Sequence, residues 1–188
     1  MNEGTLDLII GNMFSGKSTE LIRRINKTRS INKNIIIINY LEDNRYSSEG
    51  STEIVCTHDL NSVNCIKLKN LMDFDFTKLN DIDYLFIDEA QFFKDLYQFV
   101  KLLVDTNHKK VTVSGLAGDI NRSEFGQLLK LIPIADTVVK LNAYCTVCKD
   151  GTIAPFTKKI NEVNKVIDND IDIGGSDKYI SVCRTHFF

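Results

Sequence analysis

Proline is nearly missing from this chain: Pro133 and Pro155 are the only two in 188 residues. Proline therefore marks few element boundaries. No apolar run approaches the ~20 residues that a membrane-spanning helix needs. The longest, Ile35 to Ile38, is strand-sized. Positive charge is not in excess, since 23 Lys and Arg face 25 Asp and Glu. A net charge of -2 argues against a broad basic surface for nucleic acid. Cysteines number five, and no signal-peptide pattern opens the chain. That combination points to reduced thiols or metal ligands instead of a disulfide frame, and to a cytoplasmic protein. Internal repeats and low-complexity tracts are absent too. The length suits one domain with a substantial core and a small appendage.

What is present alternates between two periods. "TLDLII", "NIIIINY", "IDYLFID", "KKVTVSGL" and "DTVVKL" read as strands. Their near-continuous apolar character is that of a parallel sheet covered on both faces. Between them, Lys17 to about Thr28 reads as a helix with Leu21, Ile22 and Ile25 on one face. Phe92, Phe93, Leu96, Phe99, Val100, Leu103 and Val104 trace a long amphipathic helix. "FGQLLKLI" reads as another helix. The rhythm predicts an α/β fold, mostly parallel, of the phosphate-loop NTPase type, with ligands at the carboxyl ends of the strands. Past Leu141 the rhythm stops. The expected division is a nucleotide-binding domain over 1–141 and a small metal-binding domain over 142–188.

"GNMFSGKST", Gly11 to Thr19, lies between the first strand and the first helix. Its spacing, G-x-x-x-x-G-K-S, is that of a phosphate-binding loop. Backbone N–H groups in such a loop form an anion nest, and the helix adds the positive end of its dipole. Lys17 is expected to reach the β- and γ-phosphates, and the Ser18 hydroxyl to sit on Mg²⁺.

"LFIDEAQ" ends an apolar strand in two acids, the Walker B arrangement. Asp88 is expected to serve the Mg²⁺ shell. Glu89 can face an acceptor substrate, or it can simply be a solvated acid at a helix start. Many ATPases carry a Glu after this Asp to activate water. The dyad alone does not separate a kinase from a hydrolase or motor.

"CTVC" at Cys145 and Cys148 and "CRTH" at Cys183 and His186 form two metal-knuckle pairs, separated by about 34 residues. The spacing matches structural zinc, one ion per chain, with four ligands closing a tetrahedron. Cys56 and Cys65 lack partner spacing and read as small apolar residues. His108 reads as a solvated helix-end residue, and His58 as loop structure in preference to catalysis.

Taken in order, "GNMFSGKSTELIRR", "DNRYS", "THD", "IDEAQFF", "FGQLLKLIP", "VVKL", "CTVC", "FTKK" and "IGGSDKYISVCRTH" resemble the thymidine kinase family of the cellular and poxviral type. The resemblance spans nearly the whole chain. It implies transfer of the γ-phosphate of ATP, with Mg²⁺, to the 5′-hydroxyl of thymidine, and also of deoxyuridine. By family position, Gly11, Asn12, Met13, Phe14, Ser15, Gly16, Lys17, Ser18 and Thr19 hold ATP. Asp43, Asn44 and Arg45 lie near the metal and the transferred phosphate, as do Asp88, Glu89, Ala90 and Gln91. Glu89 matches the catalytic base, assisted by Lys17 and Arg45.

For the nucleoside, the resemblance implies Met13 and Phe93 against sugar and base, with Leu116, Ile120 and Phe125 as an apolar clamp. Thr157, the run Asp170, Ile171, Asp172, Ile173 and Gly174, and Tyr179 belong to a lasso loop over the base. The family is further expected to be a homotetramer open to feedback inhibition by dTTP. This sequence departs from the family pattern at Asn12, where proline is common, at Ala117, at Ile120, where aromatics are common, in the Cys148–Thr157 spacing, and at His186. Looser pyrimidine discrimination is the expected result of Ile120. Two rivals remain from the residues alone: a nucleic-acid-stimulated ATPase with a zinc ribbon, and a binding protein with a dead nucleotide site. Acids mixed into "FTKKINEVNKVIDNDIDIGGSD" speak against the first, and intact Lys17, Ser18, Asp88 and Glu89 against the second. Because the phosphate loop lies outside the metal-binding part, loss of the metal is expected to impair thymidine use more than ATP use.

Overall fold

A computed structural model of the protein describes residues 3–43, 54–56, 62–160 and 178–188. In chain order, β1 (Thr5–Gly11), α1 (Lys17–Arg29) and β2 (Ile35–Tyr40) come first. Three short strands follow: β3 (Ile54–Cys56), β4 (Ser62–Asn64) and β5 (Ile66–Leu68). Then come β6 (Tyr84–Ile87), α2 (Leu96–Lys101), β7 (Lys110–Leu116) and β8 (Thr137–Leu141). The C-terminal part holds β9 (Ala143–Tyr144), β10 (Ile153–Ala154), β11 (Phe156–Lys159), β12 (Tyr179–Val182) and α3 (Arg184–Phe187).

The central sheet has six strands in the order β5-β2-β6-β7-β1-β8. Every pairing within it is parallel. Register aligns the strand ends, with Gly11 beside Leu116 and beside Leu141. The loop after β1, the acids after β6 and the segment after β7 therefore emerge on one edge.

Side chains alternate across the sheet, as strand geometry dictates. Leu6, Leu8, Ile10, Leu85, Ile87, Val111 and Val113 face one layer, where Leu96, Phe99, Val100, Leu103, Leu128 and Leu131 pack on them. Ile9, Ile37 and Phe86 face the other, covered by Leu21, Ile22 and Ile25 of α1. Phe99 is fully enclosed, its ring edge-on to Phe74 and Phe76 at 6.1 and 5.9 Å. Phe99→Ala should lower unfolding free energy by about 3–5 kcal/mol through lost burial and a residual cavity. Urea denaturation of the variant measures it.

Three elements differ from the sequence reading. The long helix expected from Phe92 begins only at Leu96, because Glu89 is left-handed and Phe93 extended. A 3₁₀ turn, Ala90–Phe92, precedes it, and a π-helical turn, Leu102–Thr106, ends it. "FGQLLKLI" yields 3₁₀ turns over Leu128–Ile134. Pro133 has no N–H to return to the carbonyl of residue 129, so an α-helix cannot continue there. Finally, β5 supplies a sixth strand from a stretch outside the five strands read from the sequence. Three residues are too few to display alternation.

Candidate functional site

The phosphate loop is shaped by two left-handed residues, Phe14 at φ 61° and Gly16 at φ 83°. Such residues within a tight turn bring backbone N–H groups into a concave nest. Gly11 is required for a different reason. A Cβ there would stand 2.5 Å from the Leu141 carbonyl oxygen and 2.6 Å from Ser15 Oγ. The Lys17 ammonium folds back over the loop and donates to the Asn12 carbonyl at 2.8 Å, as does the Ser15 hydroxyl at 2.8 Å. Thr19 is exposed on the first turn of α1.

Asp88 follows β6 and is 3% exposed. Ser18 Oγ donates to its Oδ2 at 3.4 Å. Burial and the adjoining Glu89 charge push the Asp88 carboxyl up to about 6, against the pull of the Ser114 hydroxyl, the Glu89 N–H and Lys17. A buried carboxylate and a hydroxyl oxygen make a hard-oxygen donor set of the kind Mg²⁺ takes, and a divalent cation relieves such an upward push. Glu89 adopts φ 50°, a rare conformation for a side-chain-bearing residue, and the two acids meet different partners, Ser18 at Asp88 and Gln91 at Glu89. Gln91 Nε2 donates to Glu89 Oε2 at 2.5 Å. Asp43, 9% exposed, accepts from Asn39 Nδ2 at 3.2 Å, and its carbonyl accepts from Lys67 Nζ at 2.6 Å. Asn44, Arg45 and His58 lie outside the described residues, as does the run Asp170 to Gly174. Ala90 and Gln91 are enclosed against β7.

Around this edge, Met13, Leu116, Ile120 and Phe125 are all partly exposed. Phe93 has no exposed surface and belongs to the core, its ring edge-on to Tyr40 at 5.4 Å. Its neighbour Phe92 is the partly exposed ring, stacked on Tyr40 at 5.1 Å and edge-on to Phe125 at 5.4 Å. The sequence reading put Phe93 against the nucleoside; the structure encloses that ring and leaves Phe92 partly exposed. Thr157 and Tyr179 are both largely buried in the paired strands β11 and β12. Cys65 lies in the core, as read. His108 is exposed at a left-handed turn.

Cys145, Cys148, Cys183 and His186 converge, with all ligand atoms within 4.8 Å of one another. Cys148 and Cys183 sulfurs are 3.8 Å apart. His186 Nδ1 stands 3.6, 3.4 and 3.2 Å from the sulfurs of Cys145, Cys148 and Cys183. A tetrahedron with metal–sulfur bonds of about 2.3 Å has edges of about 3.8 Å, so this group could hold one metal ion. Burial and the crowding of Cys145 and Cys183 push the Cys148 thiol up to about 11. At Cys145 the N–H groups of Cys148, Cys183 and Val147 outweigh burial and bring the thiol down to about 6.

The phosphate loop and the metal-bearing segment are not independent. Asn12 Nδ2 donates to Ser181 Oγ at 3.2 Å and to the Phe156 carbonyl at 3.4 Å, and its Oδ1 accepts from Ala143 N–H at 3.3 Å. Met13 N–H donates to Thr157 Oγ1 at 3.0 Å, and Ser181 Oγ donates to the Met13 carbonyl at 2.8 Å. Phe14 packs on the cluster of Ala143, Ala154 and Val182 that surrounds the cysteines. Sequence separation concealed this, since Asn12 and Ser181 lie 169 residues apart.

Fold and site together define a phosphate-loop α/β protein whose loop is braced by a Cys₃His centre. The family model described as "Thymidine kinase" matches residues 4–187. The thymidine kinase of Fowlpox virus is 41% identical over 189 residues, covering 100% of this chain and 99% of the relative. Thymidine kinase a of Arabidopsis thaliana is 42% identical over 188 residues, covering 98% and 75%. The cytosolic thymidine kinase of Homo sapiens is 38% identical over 185 residues, covering 98% and 74%. The chain belongs to the thymidine kinase family.

Proposed function

We propose that this protein transfers the γ-phosphate of ATP to the 5′-hydroxyl of thymidine, and less readily of deoxyuridine, with Glu89 as general base. The observation that carries this reading is the acid pair after β6, with Asp88 on Ser18 of the phosphate loop and Glu89 on Gln91. Asp88 and Ser18 would hold Mg²⁺, which when bound neutralises charge across the β- and γ-phosphates. Lys17, swung from the Asn12 carbonyl, pairs with the phosphates, and Arg45 with the transferring group. Asp43 and Asn44 complete that side. A primary alcohol is a weak nucleophile, and the Glu89 carboxylate takes its proton as the new bond forms. Lysine and arginine stabilise charge on the transferring oxygens, where most of the catalysis in this reaction class resides.

The nucleoside lies between Met13, Leu116, Ile120 and Phe125, and by family resemblance Thr157, Tyr179 and the run Asp170 to Gly174 serve the base. Phe92, being the partly exposed ring, takes the part assigned by sequence to Phe93. The Cys₃His group is a structural zinc site, because four protein ligands leave no open position. The division at residue 142 stands as a proposal with the two parts joined at the loop. The family resemblance also supports a cytoplasmic homotetramer inhibited by dTTP. No helix among the described residues is long and apolar enough to cross a membrane.

A nucleoside panel at fixed ATP and Mg²⁺, with single-stranded DNA as a further arm, tests the proposal. Thymidine should be the best acceptor, deoxyuridine next, and purine nucleosides poor. Ile120→Phe should sharpen the preference for thymidine. DNA-stimulated ATP hydrolysis without nucleoside phosphorylation would replace this reading with that of an ATPase; preference for a purine would keep the kinase and discard the pocket.

A further inference from the structure

Gln91 is 2% exposed and spans the gap between Glu89 and the end of β7. Its Oε1 accepts from Leu116 N–H at 2.9 Å, and its Nε2 donates to Glu89 Oε2 at 2.5 Å. A backbone N–H can only donate, so the atom facing Leu116 is the oxygen, and the amide NH₂ is turned toward the carboxylate. Orientation of the amide is thereby fixed without freedom to flip.

Room for residue 91 is made by two glycines, Gly115 against its side chain and Gly126 against its backbone. A Cβ at Gly115 would fall 2.6 Å from Gln91 Oε1, and one at Gly126 would fall 2.1 Å from the Gln91 carbonyl oxygen. Gly126 also has φ 64°, which side-chain-bearing residues rarely adopt. The left-handed Glu89 turns the chain back so that residue 91 comes within reach of residue 89. Each of these local features serves the same contact.

We propose that Gln91 is a positioning residue for Glu89, locking the carboxylate's rotation to the backbone of Leu116 beside the nucleoside pocket. The inference rests on the general-base reading of Glu89. A carboxylate held by a charge-assisted hydrogen bond from a buried amide loses rotation about its last bond. An acceptor alcohol then meets the base already aimed. Gln91 acts on turnover through Glu89 and leaves the phosphate loop untouched.

Gln91→Met keeps length but cannot donate, and Gln91→Asn keeps the amide but withdraws it by one carbon. Each is compared with the parent for melting temperature, ATP affinity and thymidine turnover, and each is also combined with Glu89→Gln. The expected turnover loss is about 10- to 100-fold in the parent background, because small misplacements of a reacting group cost that much. ATP affinity should stay within about threefold. In the Glu89→Gln background the same change should cost less than about threefold, since coupled residues are not additive. Equal losses in both backgrounds, or undiminished turnover of the folded single variants, would overturn the proposal. Near-full turnover of Glu89→Gln alone would overturn the general-base reading instead. If Gln91→Met does not fold, Gln91→Asn carries the same comparison.

Discussion

Glu89→Gln should lower thymidine turnover by about 10²- to 10⁴-fold while leaving ATP binding nearly intact. Glutamine keeps the shape of the side chain and its contact partner at Gln91, yet it cannot take a proton at neutral pH. The loop's hydrogen bonds from Ser15 and Lys17 end on the Asn12 carbonyl, and that from Ser18 ends on Asp88. Lys17→Ala should differ by weakening nucleotide binding as well, because its ammonium is held at the loop. Single-turnover kinetics with an independent measure of ATP affinity separates the two. Turnover of Glu89→Gln within a few-fold of the parent would remove the general-base assignment.

Cys148→Ser should damage both substrates and the fold together. Structural zinc binds small modules with roughly 10–16 kcal/mol of apparent free energy at neutral pH. Even a fraction of that, about 4 kcal/mol, lowers the melting temperature of a domain this size by about 8–16 °C. Function should fall by a second route. Asn12 and Met13 are hydrogen-bonded to Phe156, Thr157 and Ser181, on the strands beside the Cys₃His group. Losing two such bonds at about 1 kcal/mol each corresponds to roughly 25-fold in affinity. Thymidine and ATP requirements should therefore rise together, where the sequence led us to expect a larger effect on thymidine than on ATP. Metal analysis of the purified protein, melting curves, and kinetics against each substrate check this. A chain without zinc would exclude the metal assignment, and an ATP requirement that stays put would show that the loop does not depend on its brace.

Several parts of the site were legible because they are local in the chain. The phosphate loop, the acids at a strand end and the paired Cys and His spacings each fit within a few residues, and each chemistry demands its own spacing. The alternation of buried strands with α1 was equally readable, since burial on both faces leaves an unbroken apolar run. Helix character after Asp88 was not. Phe92 through Val104 keep a helical spacing of apolar residues, yet the strained turn at Glu89 and the extended Phe93 delay the helix to Leu96. Local pattern records which residues are apolar; it does not record where the backbone must bend to present an acid.

The sequence by itself determined the G-x-x-x-x-G-K-S loop, the mostly parallel α/β class and the Cys and His residues that could hold a metal ion, because each follows from residue type and short spacing. Tertiary structure decided which phenylalanine faces outward, that Gln91 joins Glu89 to β7, and that Asn12 ties the loop to strands more than 140 residues away. Those facts depend on which side chains meet after the chain has crossed the sheet, and hydrogen bonds between distant segments leave no period in the sequence to read.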